Sequence, residues 1–353
     1  MASDSSSLFP PQTPSYILSF QFSSWYPHFS SRSIKSTIIR PLSREFHAYL
    51  DADGVFVPEG SEDIPAESTL SDSDEDDEDD DEDEDSPPPS FAFPDLDVQI
   101  RACVQEYGTV FPKLNFSSPK DAAWILPASS PLKCTSPSDV YLLLKSSDFI
   151  THDLSPDTVF AGCDIDEPHE LELELVLRKW YPVDRSREVR CFVRRNILLG
   201  ISQRDANYYE FLNDPTTHAS IRSAVQTYWE THIKNSKHWE PIQDYTFDLL
   251  LTRDLSRGHI LDFNPYAPRT DPLLFTYEEL AELLDARLVP KDESTDHGLP
   301  EFRVIDSRSH PAATSNAPAY QHNMVPFEAL SISSGRHIEE FADMWKEEIR
   351  QSI

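Results

Sequence analysis

The sequence predicts an α+β fold whose sheets are antiparallel, and three observations predict it. Tyr245 to Pro265 reads as two apolar, partly alternating runs, YTFDLLL and HILDFNP, around the polar segment Arg253 to Gly258, which is the pattern of a β-hairpin. REVRCFVRRNILLGISQRD repeats that pattern, with its turn at Arg194 to Asn196. The glycine loops of parallel nucleotide-binding folds are missing: there is no GxGxxG, GxxxxGK[ST] or GxSxG, no HExxH, and only 8 glycines, none between Gly108 and Gly162.

Taken in order, residues 1–15 are Ser- and Pro-rich and are expected to be disordered, with ordered chain from about Tyr16. MASDSSSLFPPQ has neither a basic nor an apolar region of the secretory kind. Residues 16–70 form an N-terminal part whose aromatic cluster, Phe20, Phe22, Trp25, Tyr26 and Phe29, is read as a small core rather than a docking surface. Residues 71–90 are a linker: from Asp72 to Asp85 every residue but Ser73 is acidic and PPPS follows, so repulsion and lack of apolar surface prevent folding. In 91–165, Leu96, Ile100, Val104 and Tyr107 have helical spacing. FPKLNFSSPKDAAWI then gives a strand and a polar loop carrying Lys113, Asn115, Ser117, Ser118 and Lys120, and DVYLLLKSSDFI a helix followed by a short strand.

Residues 166–330 hold the alternating strand ELELELVLRKW, both hairpins, a helix through Ile221, Val225, Tyr228, Trp229 and Ile233, and a helix opened by a Thr276/Glu279 capping box. FRVIDS closes them as a strand, and residues 331–353 read as a terminal helix or tail.

Formal net charge is -32, from 62 acidic and 30 basic residues. That balance disfavours polyanionic partners, so no nucleic acid or anionic membrane is expected. No apolar run of about 18 residues or more exists to span a bilayer. The 4 cysteines, Cys103, Cys134, Cys163 and Cys191, are scattered, so neither a disulfide framework nor a zinc site is indicated and a cytoplasmic location fits best.

Side chains alternate along a strand, so Thr246, Asp248 and Leu250 share one face, and Ile260, Asp262 and Asn264 share one face of the next strand. A turn near residue 255 places Asp248 opposite Asp262, where like charges repel. A divalent cation is the simplest compensator, with Asp248, Asp262 and Asn264 as ligands. A solvated outer face would also tolerate the two carboxylates. Lys113, Arg178, Lys179, Arg190 and Arg204 recur on strands or strand ends, where an unpaired buried cation is costly. An anionic ligand explains them together; pairing with Glu188, Asp205 or the Glu170, Glu172, Glu174 row explains them singly.

FSSWYPHF, FPKLNFSSPKDAAWI, LKSSDFI, LVLRKW, RCFV, GISQRDANYY and LDFNPYAPRTDPLLF occur in the order seen in the cell division cycle protein 123 family, which the chain resembles from Tyr16 to Leu330. The resemblance implies an ATP-grasp-like fold, two antiparallel-sheet subdomains holding a nucleotide between them. It also implies an assembly chaperone of eukaryotic translation initiation factor 2 that binds its γ subunit and is a monomer by itself. By the same resemblance ATP and Mg²⁺ are the cofactors. Lys113 would contact phosphate with Asn115 beside it; Arg178, Lys179 and Trp180 would line the adenine; Glu188, Arg190 and Arg204 would flank the nucleotide. Asp248, Asp262 and Asn264 would ligate the metal. The chain departs from the family pattern at Val189, where an aromatic residue is expected, and in the loop Arg253 to Arg257. A ligase or kinase that activates a carboxylate by phosphorylation is the alternative function for such a fold.

Overall fold

The computed structural model describes residues 8–62, 91–127, 129–164, 170–237, 239, 241–288 and 299–312. The acidic run and the terminal helix lie outside the described residues. In chain order the elements are α1 (Pro14–Leu18), α2 (Phe22–Phe29), β1 (Ser36–Ile39), α3 (Arg44–Asp51), α4 (Pro94–Tyr107) and β2 (Val110–Lys113). Then come α5 (Pro137–Lys145), α6 (Asp148–Thr151), α7 (Pro156–Val159), β3 (Leu175–Lys179), β4 (Glu188–Arg194) and β5 (Ile197–Gln203). The last are α8 (Pro215–Trp229), β6 (Tyr245–Leu251), β7 (Gly258–Pro265), α9 (Tyr277–Leu288) and β8 (Glu301–Arg303).

These make a mixed architecture of two sheets, one ordered β1-β3-β2 and one ordered β7-β6-β4-β5-β8. All pairings are antiparallel except β5 with β8, which is parallel. β3 lies between β1 and β2, so the strand carrying Arg178 and Lys179 joins the small sheet. β3 follows residue 166 in sequence but pairs with β1 and β2, which precede it. Among the described residues no helix is long and apolar enough to cross a membrane.

Period-2 alternation decides how the large sheet packs. Cys191, Val193, Phe247 and Leu249 face a core closed by Ile221, Val225 and Trp229 of α8 and by Phe22, Trp25 and Phe29 of α2. The N-terminal aromatic cluster is therefore core. Phe192 and Leu199 face the other way, under Phe275, Leu280 and Leu284. The small sheet packs Leu175 and Leu177 on α3, α4 and α5 through Phe46, Ile100 and Leu144.

Both hairpins form where the pattern placed them, with corrections of detail. Arg195 and Asn196 have φ of 48° and 56°, a two-residue turn with both residues left-handed, as a primed hairpin turn requires. In the β6–β7 turn Leu255 is left-handed, φ 56°. Gly258 is needed for space, since a Cβ there would come within 2.9 Å of Leu249 Cδ1.

The register shifts between Asp248 and Leu249, so Asp248 pairs with Asp262 while Leu249 pairs with Ile260. Leu261 is the extra residue of a β-bulge, and the shared face expected for Ile260 and Asp262 is broken. Ile260 goes into the core beside Leu249. DFI, expected as a strand, is helical in α6 because Asp121 caps it, accepting from Ser147 Oγ at 2.5 Å and the Asp148 amide at 2.7 Å. Residues 8–15, expected to be disordered, are held: Phe9 stacks edge-on against Tyr277 at 4.7 Å, and the Asp164 amide donates to Gln12 O at 2.9 Å.

Candidate functional site

A cavity of about 430 Å³ opens between the large sheet and the loop that follows β2, a size suited to a small ligand. Arg190, Arg204, Asp248, Asp262 and Asn264 form its sheet wall, and Phe116, Ser117, Ser118 and Lys120 come from the loop. Asp148, Phe149 and His152, from α6 and the turn after it, complete the lining.

The sheet wall follows from register. Arg190 on β4 pairs with Asp248 on β6, which pairs with Asp262 on β7, so three charged side chains point the same way. Asp248, only 2 % exposed, receives Arg190 Nε at 2.8 Å and Nη2 at 2.9 Å, and Arg204 Nε at 3.0 Å. Arg204 also reaches Glu188 Oε2 at 3.3 Å. Burial alone would raise the Asp248 pKa, but the two guanidinium groups hold it well below the usual carboxylate range. For Arg190 burial acts downward and Asp248 more than reverses it, leaving Arg190 above its ordinary value. Both partners stay ionised.

Asp262 receives Lys113 Nζ at 2.9 Å, and Lys113, 2 % exposed, also donates to Phe116 O. The repulsion expected between the opposed aspartates is thus answered by Arg190, Arg204 and Lys113 rather than left to solvent. Among the described residues no group of three or more His, Cys, Asp or Glu side chains is gathered to hold a metal. One observation does fit a ligand here: Asn264 Nδ2 is buried with no hydrogen-bond partner, and so is Oγ1 of Thr246, its cross-strand neighbour. An unpaired buried amide costs roughly 1–3 kcal/mol. The Nδ2 amide is a donor and suits an acceptor oxygen of a polar ligand, while the Asp262 carboxylate and the Asn264 carbonyl oxygen are the ligand type a hard cation takes.

The opposite wall is built by two carboxylates. Asp153, fully buried, accepts the Phe116 amide at 2.7 Å, the Ser117 amide and hydroxyl at 2.8 Å each, and His152 Nδ1 at 3.0 Å. Asp121 ties the same loop to α6. Lys120 faces the cleft beside Arg204, whose charge first, and then loss of hydration, pushes the ammonium down to about 7. Lys120 is itself exposed to the cleft's solvent, which weakens that repulsion in proportion.

Arg190, Arg204, Asp248, Asp262 and Asn264 are therefore brought together, with Lys113 and Glu188 bonded behind them. Asn115 is elsewhere: it is fully buried, donating to Glu172 O at 2.7 Å and accepting the Glu174 amide at 2.9 Å. Arg178 lies between the rings of Phe22 and Phe111 and donates to the carbonyl of the bulge residue Leu261 at 2.7 Å. Burial lowers its pKa to about 10, against the pull of Asp262. Lys179 lies over Tyr181, and Trp180 donates to Pro131 O at 3.0 Å. Neither lines the cavity. Sequence reasoning did not nominate Lys120, Phe149 or His152; SSPKD directly after a strand and the unexplained LKSSDFI motif were the available signals.

The D123 family model matches residues 25–333. The chain is 38% identical over 338 residues to a translation initiation factor eIF2 assembly protein of Xenopus laevis, covering 94% of this chain and 95% of that one. A protein of the same description from Botryotinia fuckeliana is 37% identical over 368 residues, covering 96% and 88%. The structure of Cdc123 from Schizosaccharomyces pombe superposes with a TM-score of 0.63 at 32% identity, covering 84% of this chain and 100% of that chain.

Proposed function

The chain belongs to the D123 family, also called the Cdc123 family, and on that premise we propose that it promotes assembly of eukaryotic translation initiation factor 2. In this reading it works in the cytoplasm, binds ATP and Mg²⁺ in the cleft between an ATP-grasp-like pair of sheets, and takes the γ subunit as its partner. The role in assembly is supported by relatives described as eIF2 assembly proteins that align along nearly their whole length.

The cleft carries the nucleotide part of the proposal. It sets Arg190, Arg204 and Lys120 around one cavity, and guanidinium forks match phosphate oxygens. Asp262, Asn264 and Asp248 are the residues that would hold Mg²⁺, and the ion would neutralise phosphate charge. Ligand binding would fix the loop after β2 against the sheet and so order the surface offered to a partner. A ligase or kinase rests on fold analogy alone.

Calorimetry with ATP and Mg²⁺ tests this, together with capture of the γ subunit with and without ATP. We expect saturable Mg²⁺-dependent binding, weakened more than tenfold by Asp262→Asn, and stronger capture with ATP. Absence of heat at millimolar ATP would refute the nucleotide reading, and failure to capture the γ subunit the partner reading.

A further inference from the structure

The LKSSDFI motif and the turn after it carry no role so far, yet they complete the wall opposite the sheet through Asp148, Phe149 and His152. Their placement is not incidental to the loop after β2. Asp121 of that loop caps α6, and Asp153 just beyond α6 gathers the Phe116 and Ser117 amides. Loop and helix are therefore one wall, tied together by two carboxylates.

Asp153 is a buried carboxylate with three loop donors and one ring partner, His152 Nδ1 at 3.0 Å. The rest of His152 is open: its side chain is 40 % exposed, and the residue lines the cleft. A ring anchored at Nδ1 by a carboxylate has a fixed orientation, and its other nitrogen, Nε2, is the atom left to meet a ligand. The charged groups around that position are Asp148 and Asp153 on its own wall, Lys120 on the loop, and Arg190, Arg204, Asp248 and Asp262 across the cleft.

We propose that His152 is a ligand-binding residue of this cleft: as an imidazolium it gives Nδ1–H to Asp153, which positions it, and donates Nε2–H to an anionic oxygen of a polyphosphate. The inference deepens the nucleotide reading above and rests on it. His152 then stands on the opposite wall from Arg190 and Arg204, so the anion is gripped from both sides. Asp153 serves twice, orienting the ring and holding the Ser117 backbone at the cavity.

The test measures binding of ATP with Mg²⁺, and of inorganic tripolyphosphate with Mg²⁺, to the full chain and to His152→Gln, with Asp148→Asn as a second change on the same wall. We expect His152→Gln to bind both probes about tenfold more weakly, the size of one lost charge-assisted hydrogen bond, with an unchanged melting temperature in buffer. Asp148→Asn, which removes a negative charge from the wall, should bind both at least as tightly as the unaltered chain. An affinity within twofold for both probes, or a loss for ATP but not for tripolyphosphate, would overturn the proposal while leaving the nucleotide reading standing. No binding of either probe by the unaltered chain would overturn both.

Discussion

Asp248→Asn is the change for which the structure makes the largest demand. Asp248 is buried and is the shared acceptor of Arg190, itself buried, and of Arg204, partly buried. Asn keeps the shape and one acceptor oxygen but removes the charge that balances two guanidinium groups, with Lys120 adding a third cation nearby. Breaking a buried pair by neutralising one partner costs about 3–5 kcal/mol, because the remaining charge stays buried and uncompensated. In a chain of this size that corresponds to a fall in melting temperature of roughly 5–10 °C.

The pH dependence carries the same sign. The folded-state pKa of Asp248 lies below its unfolded value, so its contribution is complete above about pH 4 and is lost as pH falls through the lower folded value. Asp248→Asn should therefore cost stability at pH 7 and progressively less as the solution is acidified. Urea unfolding at pH 7 and at pH 3 reads this directly. Adding Arg204→Gln to Asp248→Asn should recover part of the loss, since the second change removes an uncompensated cation; a double-mutant cycle isolates the coupling. A single mutant within 1 kcal/mol of the unaltered chain at pH 7 would show that the paired geometry does not support the fold.

Two further changes probe other parts of the molecule. Lys120→Met removes a cation that Arg204 repels across open solvent, so stability should be unchanged or raised by less than about 1 kcal/mol, while affinity for tripolyphosphate falls several-fold; a large loss of stability would contradict its placement on the cleft. Gly200→Ala puts a Cβ 2.8 Å from Phe275 Cζ and 3.2 Å from Leu280 Cδ2, and chemical denaturation should record a cost of about 1–3 kcal/mol for the overpacked contact, with no change meaning that α9 is not seated as described.

What the sequence determined was local. The period-2 runs around Arg195-Asn196 and around residues 252–257 define both hairpins, because side-chain alternation and turn chemistry act over a few residues. The opposition of Asp248 and Asp262 follows from the same counting, as do the helical face of Ile221, Val225 and Trp229 and the Thr276/Glu279 capping box. The family was legible too, since its motifs keep their order.

The tertiary structure alone decided which charges meet. Lys113 and Asp262 are 149 residues apart and touch because the loop after β2 folds onto β7. Arg190 reaches Asp248 because β4 lies beside β6, and strand order is not written in either strand. Alternation assigns a side chain to a face without saying what covers it, which is why the pairing of Asp248 with Arg190 and Arg204, and of Asp262 with Lys113, could not be read from the hairpin. The bulge at Leu261 also escaped pattern reading, since one inserted residue breaks the alternation from which it would be recognised. Asn115 and Arg178 look like binding residues in isolation, but packing of the small sheet buries one amide against the Glu172–Glu174 backbone and one guanidinium between two phenylalanines. His152 lies on the cleft because the turn after α6 folds against the loop that follows β2, where Asp153 accepts the Phe116 and Ser117 amides 37 and 36 residues away in sequence.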